Sequence, residues 1–246
     1  MQAILYIGHG TRLQKGVEEA IQFIEETKKF IQVPIQETAF LELVEPSIIE
    51  GVKKCIERGA TDIAIIPILL LEAQHAKVDI PEEIDKARQL YPTVHFSIGK
   101  PLGVHENLID EIYYRIKEQG KPISKNAEVL LIGRGSSDTS VVRSMNEIAQ
   151  RLKQKYGFLK VSYCFLYGTG PSFETALHNL KLRQPKQTFI VPYLLFSGLL
   201  RNSIQKKIES LEIDAAQFVL CESLGYKENV RQVLLERINE VIKLGD

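Results

Sequence analysis

The stretch "AILYIGHGT", residues 3–11, joins a run of apolar residues to a Gly-His-Gly turn. The run shows no polar alternation, which is typical of a parallel strand that is covered on both faces. The glycines on either side of His9 allow a tight turn and leave room beside the imidazole for a large ligand. The stretch therefore predicts a buried strand whose carboxyl end presents a histidine.

The same pattern returns later in the chain. Three segments recur at a constant shift of 125 positions: "IGHGT" (7–11) as "IGRGS" (132–136), "FLELVEPS" (40–47) as "FLYGTGPS" (165–172), and "IIPILL" (65–70) as "IVPYLL" (190–195). Two copies of this length indicate a duplicated domain, because solenoid repeats are only about 20–50 residues long. We predict an N-terminal half at 1–119 and a C-terminal half at 126–246, joined by a linker rich in Gly, Pro and Ser.

Each half alternates strands with helices. In the first half, apolar runs near 3–8, 34–41, 62–70 and 94–98 predict four strands. Between them the apolar residues have helical spacing, and Asp79, followed by Pro81, is placed to cap the third helix. This order predicts an α/β protein of two tandem Rossmann-like, doubly wound domains with parallel sheets, related by a pseudo-two-fold axis. In the common arrangement, the first strand lies between the second and the third.

Composition excludes several classes of function. The 31 Lys and Arg balance the 31 Asp and Glu, so we expect no nucleic acid and no membrane as partners. No apolar stretch approaches the roughly 18 residues of a membrane span, and the first residues do not resemble a signal peptide. The three cysteines form no C-x-x-C pattern, which predicts buried free thiols and a cytoplasmic protein.

Three side chains are predicted to meet at one edge of the first sheet. His9 follows the first strand, Glu42 follows the second, and His75 follows the third in "LLLEAQHAKVDIP". The carboxyl ends of parallel strands share one edge, where ligands bind at the reversal of strand order. Two imidazoles and a carboxylate suit a divalent first-row metal such as Fe²⁺, Co²⁺ or Ni²⁺. The alternative is structural: a single histidine near a strand end is more often a hydrogen-bonded fold residue, which is our interpretation of His95, His105 and His178.

The second half repeats the surrounding segments but has different side chains at these three positions. Arg134, Tyr167 and Leu200 stand where the first half has His9, Glu42 and His75. We therefore expect the first half to present the metal and the second to help hold the substrate. Other residues are candidate contacts for the substrate, because they offer a close backbone, a hydroxyl, an amide or a cation that can meet its carboxylates. They are Gly8, Gly10, Arg12, Lys77, Arg134, Ser136, Ser137, Arg143, Arg201 and Asn202. Ordinary helix capping and solvated charges are the alternatives.

A phosphate loop is a weaker interpretation of the glycine-rich turns. The first turn has Leu13 where the G-x-G-x-x-G pattern needs its third glycine, and the chain has no G-K-[ST]. A nucleotide-binding module is therefore disfavoured.

Together these segments resemble the class II chelatases of modified tetrapyrrole synthesis. The likeness covers nearly the whole chain and rests on "YIGHGTR", "FLELVEPS", "PILLLEAQHAKVDIPEEI", "LIGRGSSD" and "FIVPYLLFSGLL". It implies a lyase with a cleft between two halves that inserts Fe²⁺ into sirohydrochlorin, giving sirohaem and two protons. It implies that His9 and His75 are the catalytic, metal-binding pair and that Glu42 is a further metal contact. Fe²⁺ would be a substrate rather than a permanently bound cofactor, with Co²⁺ or Ni²⁺ accepted in vitro, and the chain would be a monomer.

Two alternatives within this resemblance stay open. One is a sirohydrochlorin cobaltochelatase of cobalamin synthesis. Some long cobaltochelatases of this type carry a histidine-rich stretch and a cysteine motif near the C-terminus, whereas this sequence ends "ERINEVIKLGD", so we expect iron. The other is a non-catalytic carrier of tetrapyrrole or metal on the same fold, because fold alone does not fix function.

Overall fold

Strands and helices alternate along the chain. The computed structural model describes residues 1–196, 199–210 and 217–242. The strands in these residues are β1 (Gln2–Gly8), β2 (Ile35–Phe40), β3 (Asp62–Pro67), β4 (His95–Ile98), β5 (Glu128–Gly133), β6 (Lys160–Phe165), β7 (Thr188–Pro192) and β8 (Phe218–Leu220). The helices are α1 (Gln14–Lys28), α2 (Ile48–Glu57), α3 (Ile80–Leu90), α4 (Glu106–Lys117), α5 (Thr139–Tyr156), α6 (Phe173–Arg183), α7 (Leu199–Glu209) and α8 (Glu228–Asn239). A π-helical turn, His75–Asp79, runs directly into α3.

The strands form two parallel sheets of the same topology. The strand orders are β2-β1-β3-β4 and β6-β5-β7-β8, and every pairing is parallel. Both confirm the predicted α/β class and the predicted order within each half. The first strand of each half lies at the centre of its sheet, and residues 3–8 and 128–133 are buried throughout. Such burial on both faces explains why these strands are apolar without alternation.

Helix α2 packs tightly on the centre of the first sheet. A Cβ at Gly51 would lie 2.7 Å from Leu5 and 2.9 Å from Ala39, so only glycine permits this contact. The helix begins with a capping box. The Ser47 side chain accepts a hydrogen bond from the backbone N–H of Glu50, and the Glu50 side chain accepts one from the backbone N–H of Ser47. The start of α2 is therefore fixed directly after the loop that carries Glu42.

The cysteines are buried and unpaired, as predicted. Burial raises the pKa of each thiol to about 12, which keeps it protonated and unreactive. No helix within the described residues combines the length and apolar character needed to cross a bilayer.

The chain divides into two compact units whose boundaries differ from the sequence repeats. The first unit is Met1–Gly103 with Arg231–Asp246, and the second is Val104–Val230. Helix α4 therefore belongs to the second unit, where its Asp110 accepts a hydrogen bond from Tyr156 at 2.6 Å. Most of α8 belongs to the first unit. The predicted halves, 1–119 and 126–246, assign these two helices the other way round, and remain a prediction about the duplicated sequence.

Candidate metal centre

The loops after β1, β2 and β3 meet at the carboxyl edge of the first sheet. His9 is the first residue after β1, and Glu42 is the second after β2. His75 begins the π-helical turn that follows β3. Since β1 lies between β2 and β3, the central loop has both other loops as neighbours.

Backbone hydrogen bonds tie the His9 and Glu42 loops together. The parallel pairing of β1 with β2 continues past the strands, with Leu41 N donating to Gly8 O at 2.9 Å and Glu42 N donating to His9 O at 3.2 Å. Gly10 has a φ of +90°. A Cβ at this position would lie 3.0 Å from the Glu42 carbonyl carbon and closer still to its oxygen. Gly10 thus has both the dihedral and the close approach that only glycine allows.

The three side chains form a compact group. His9 Nδ1 lies 3.4 Å from Glu42 Oε1, and the rings of His9 and His75 meet edge to face with their centroids 4.6 Å apart. One ligand atom from each residue lies within 4.8 Å of the others, and no other such group of three His, Cys, Asp or Glu occurs in the described part of the chain. The side chain of Glu42 is 45% exposed and that of His9 is 18% exposed, so the group is open to solvent on the carboxylate side.

The donor set and its spacing fit a first-row divalent ion. Such an ion holds nitrogen and oxygen ligands at about 2.0–2.2 Å, which separates neighbouring ligands by roughly 3–4 Å. The His9–Glu42 distance of 3.4 Å already lies in that range. A ligand atom of His75 lies within 4.8 Å of those of His9 and Glu42.

Asp79 contacts the imidazole of His75, which the sequence did not predict. Its Oδ2 lies 2.5 Å from His75 Nδ1. Asp79 precedes α3 as predicted, but it has helical dihedrals and makes no side-chain cap, so the predicted capping role is wrong. A carboxylate four residues after a histidine within a helical segment was the available signal.

The second sheet repeats the backbone frame without the ligand set. Leu166 N donates to Gly133 O at 3.1 Å and Tyr167 N donates to Arg134 O at 3.0 Å, at the positions equivalent to the two bonds in the first sheet. A Cβ at Gly135 would meet the carbonyl group of Tyr167, just as one at Gly10 would meet that of Glu42. The contrast between the halves is therefore in the side chains and not in the loop geometry.

The predicted ligand contacts have mixed surroundings. Gly8 and Gly10 form the turn around His9, while Arg12 and Lys77 are exposed in the same unit. In the second unit Arg134, Ser137, Arg143 and Asn202 are also exposed.

Two of the predicted contacts have clear structural roles. Ser136 Oγ accepts from the backbone of Asp138, which caps α5, so it serves the helix start. Arg201 donates to Glu222 and Gln205 and is largely buried. A ligand role for either remains a prediction.

Two of the other histidines, His95 and His105, have structural contacts, as predicted. His95 Nδ1 lies 3.4 Å from Asp62 Oδ1 on an exposed surface. His105 precedes α4 and accepts from the backbone of Asn107 at 3.2 Å. His178 is exposed on α6.

Comparison with known families identifies the chain at the family level. Residues 3–119 and 128–241 each match CbiX, one match for each sequence repeat. The chain belongs to the CbiX family. This match confirms the resemblance to chelatases that the sequence motifs indicated.

Individual relatives of this CbiX-family chain are chelatases. It is 47% identical to the sirohydrochlorin ferrochelatase of Priestia megaterium, over 98% of this chain and 91% of that protein. It is 32% identical to the sirohydrochlorin cobaltochelatase of the same organism, over 98% of this chain and 80% of that protein. The solved structure of SirB from Bacillus subtilis with Fe³⁺ superposes with a TM-score of 0.88 at 43% identity, covering 97% of this chain and 94% of that one.

Proposed function

We propose that this protein is a sirohydrochlorin ferrochelatase, a lyase that inserts Fe²⁺ into sirohydrochlorin to give sirohaem and two protons. The observation that carries the proposal is the His9–Glu42–His75 group at the sheet edge. The ferrochelatase named above, similar over nearly its whole length, supports the choice of substrate.

The first step in this proposal is capture of the metal as a substrate. Glu42 is the most exposed of the three ligands, so its carboxylate is the first to meet a hydrated cation. His9 and His75 then replace water with two imidazole nitrogens, at ring centroids only 4.6 Å apart. Ligands from three loops leave other coordination positions of the ion open, which transfer to a macrocycle requires.

The second step is exchange of the ion for two protons. A metal enters a tetrapyrrole only when both pyrrolic N–H protons leave. An imidazole can either hold a divalent ion or accept a proton near neutral pH, so each histidine released by the metal becomes a base. His9 and His75 are therefore the proposed catalytic residues, and their number matches the two protons released.

The macrocycle also carries acetate and propionate groups that need cationic or N–H partners. Arg12 and Lys77 in the first unit, and Arg134 and Asn202 in the second, are exposed candidates for these contacts. We infer a monomer, because the two halves of one chain supply both copies of the sheet edge.

Cobalt insertion is the second candidate. The same donor set suits Co²⁺, and the cobaltochelatase named above is similar over 98% of this chain. Iron is preferred because, within Priestia megaterium, the ferrochelatase is the more similar of the two, at 47% against 32% identity.

The test is the anaerobic optical change of sirohydrochlorin on metal insertion. Wild-type protein with Fe²⁺ is expected to accelerate the change over buffer, and to do so faster than with Co²⁺ at equal free metal. A faster Co²⁺ reaction would instead support the cobalt enzyme. Protein that binds both sirohydrochlorin and Fe²⁺ without accelerating their reaction would contradict catalysis and support a carrier.

A further inference from the structure

Asp79 makes a short polar contact with His75, one of the two candidate histidine ligands. Asp79 Oδ2 lies 2.5 Å from His75 Nδ1, and both side chains are about one-third exposed. A distance this short requires a proton between the two atoms. In the neutral imidazole that proton is on Nδ1, which leaves the lone pair on Nε2.

Local backbone geometry gives Asp79 this role instead of a capping role. A side-chain cap needs extended backbone at the capping residue, whereas Asp79 has φ −65° and ψ −46°. The π-helical turn continues through it, with Ile80 N donating to His75 O. Short π-helical segments are often found at functional sites. Here the turn brings a carboxylate under an imidazole four residues earlier.

The internal repeat provides an independent comparison. At the shift of 125 positions, His75 corresponds to Leu200 and Asp79 to Ile204. Ile204 is fully buried, and both residues lie in α7, an ordinary α-helix. At the described positions equivalent to the π-helical turn, the second half therefore has an ordinary α-helix and neither the histidine nor the carboxylate. Had Asp79 served only the start of a helix, its loss need not accompany loss of the histidine.

We propose that Asp79 is a positioning residue for His75. Its carboxylate holds the imidazole as the Nδ1–H tautomer and restrains the ring, so that Nε2 is the atom offered to the metal. Carboxylate partners behind metal-binding histidines act in this way in other sites, and their removal typically lowers metal affinity or activity about 10–100-fold. The inference rests on the proposed function only for the identity of the metal, Fe²⁺.

The first test measures the tautomer without metal or tetrapyrrole. Two-bond ¹H–¹⁵N correlation spectra of the neutral imidazoles distinguish Nδ1–H from Nε2–H. Wild-type His75 is expected to be the Nδ1–H form. Asp79→Ala should lose this preference, and Asp79→Asn, which keeps an acceptor oxygen without the charge, should retain part of it. A wild-type His75 in the Nε2–H form, or an unchanged tautomer in Asp79→Ala, would overturn the proposal.

The second test measures Co²⁺ affinity by its visible absorption, again without tetrapyrrole. Asp79→Ala is expected to bind about 10–100-fold more weakly, and Asp79→Asn to fall between it and wild type. Asp62→Asn is the matched control. Asp62 Oδ1 lies 3.4 Å from the Nδ1 of His95, a histidine that is not part of the metal group. Wild-type affinity in both Asp79 variants would contradict the proposal. Both readouts are independent of turnover, so failure of the proposed chelatase activity would not be mistaken for failure of this inference.

Discussion

Alanine at Gly10 should damage the metal centre through the backbone. The substitution adds a Cβ that overlaps the carbonyl group of Glu42, at a residue whose φ is +90°. An L-residue in the left-handed region costs roughly 1–2 kcal/mol, and relieving a backbone overlap in a packed region costs a further 1–3 kcal/mol, approximately. We therefore expect the free energy of unfolding to fall by about 2–5 kcal/mol in Gly10→Ala.

Two other glycines separate these contributions. Gly59 has a φ of +92° with nothing within 4 Å of an added Cβ, so Gly59→Ala should lose only the conformational part, about 1–2 kcal/mol. Gly135 has a φ of +96° and the same overlap, with Tyr167 in place of Glu42. Gly135→Ala should therefore lose as much stability as Gly10→Ala.

Metal affinity then distinguishes Gly10→Ala from Gly135→Ala. Urea denaturation gives the stability of each variant, and Co²⁺ titration without tetrapyrrole gives its affinity. Moving the Glu42 backbone should weaken Co²⁺ binding in Gly10→Ala by about 10–100-fold, because a shift of about 1 Å is enough to spoil a site. Gly135→Ala should bind Co²⁺ as wild type does. Equal affinities in Gly10→Ala and Gly135→Ala would show that the close approach of Gly10 to Glu42 does not position the metal group.

Two further predictions follow from ionisable groups. Burial alone would raise the pKa of Asp110, but hydrogen bonds from Lys155 and Tyr156 outweigh it and lower that pKa. A carboxyl group whose pKa is lower in the folded state adds stability at pH values above its unfolded pKa of about 3.9, and this stability is lost as the pH falls through its folded pKa. The stability advantage of wild type over Asp110→Asn should therefore shrink between about pH 7 and about pH 2. An advantage independent of pH would contradict this. The native thiols should react slowly with Ellman's reagent, because burial raises their pKa to about 12, and become reactive on unfolding. Fast reaction of the folded protein would contradict their burial.

The fold was predictable because its signal is local and repeated. Continuous apolar runs indicate strands covered on both faces, and their alternation with helices allows few topologies. The meeting of His9, Glu42 and His75 followed from that topology, since parallel strands bring their carboxyl ends to one edge. Whether the three bind metal remains a prediction.

Other features depended on tertiary contacts that the sequence does not display. Asp79 before Pro81 has the pattern of a helix cap, and only the π-helical turn redirects its carboxylate to His75. Arg201 is a residue type that suits a carboxylate ligand, yet it donates a hydrogen bond to Glu222, which is distant in the chain. The assignment of α4 and α8 to units depends on packing, which a repeat in the sequence cannot reveal.

In the proposed function, His9 and His75 deliver the metal and accept the protons. The most direct measurement is the rate of Fe²⁺ insertion into sirohydrochlorin by wild type, His9→Ala and His75→Ala, with His95→Ala as the control and folding checked by circular dichroism. Losses of about 10²–10⁴-fold, typical of a removed acid–base group, are expected in the first two variants, with wild-type rates in the control. Wild-type rates in both His9→Ala and His75→Ala, with the fold intact, would contradict this role of the two histidines.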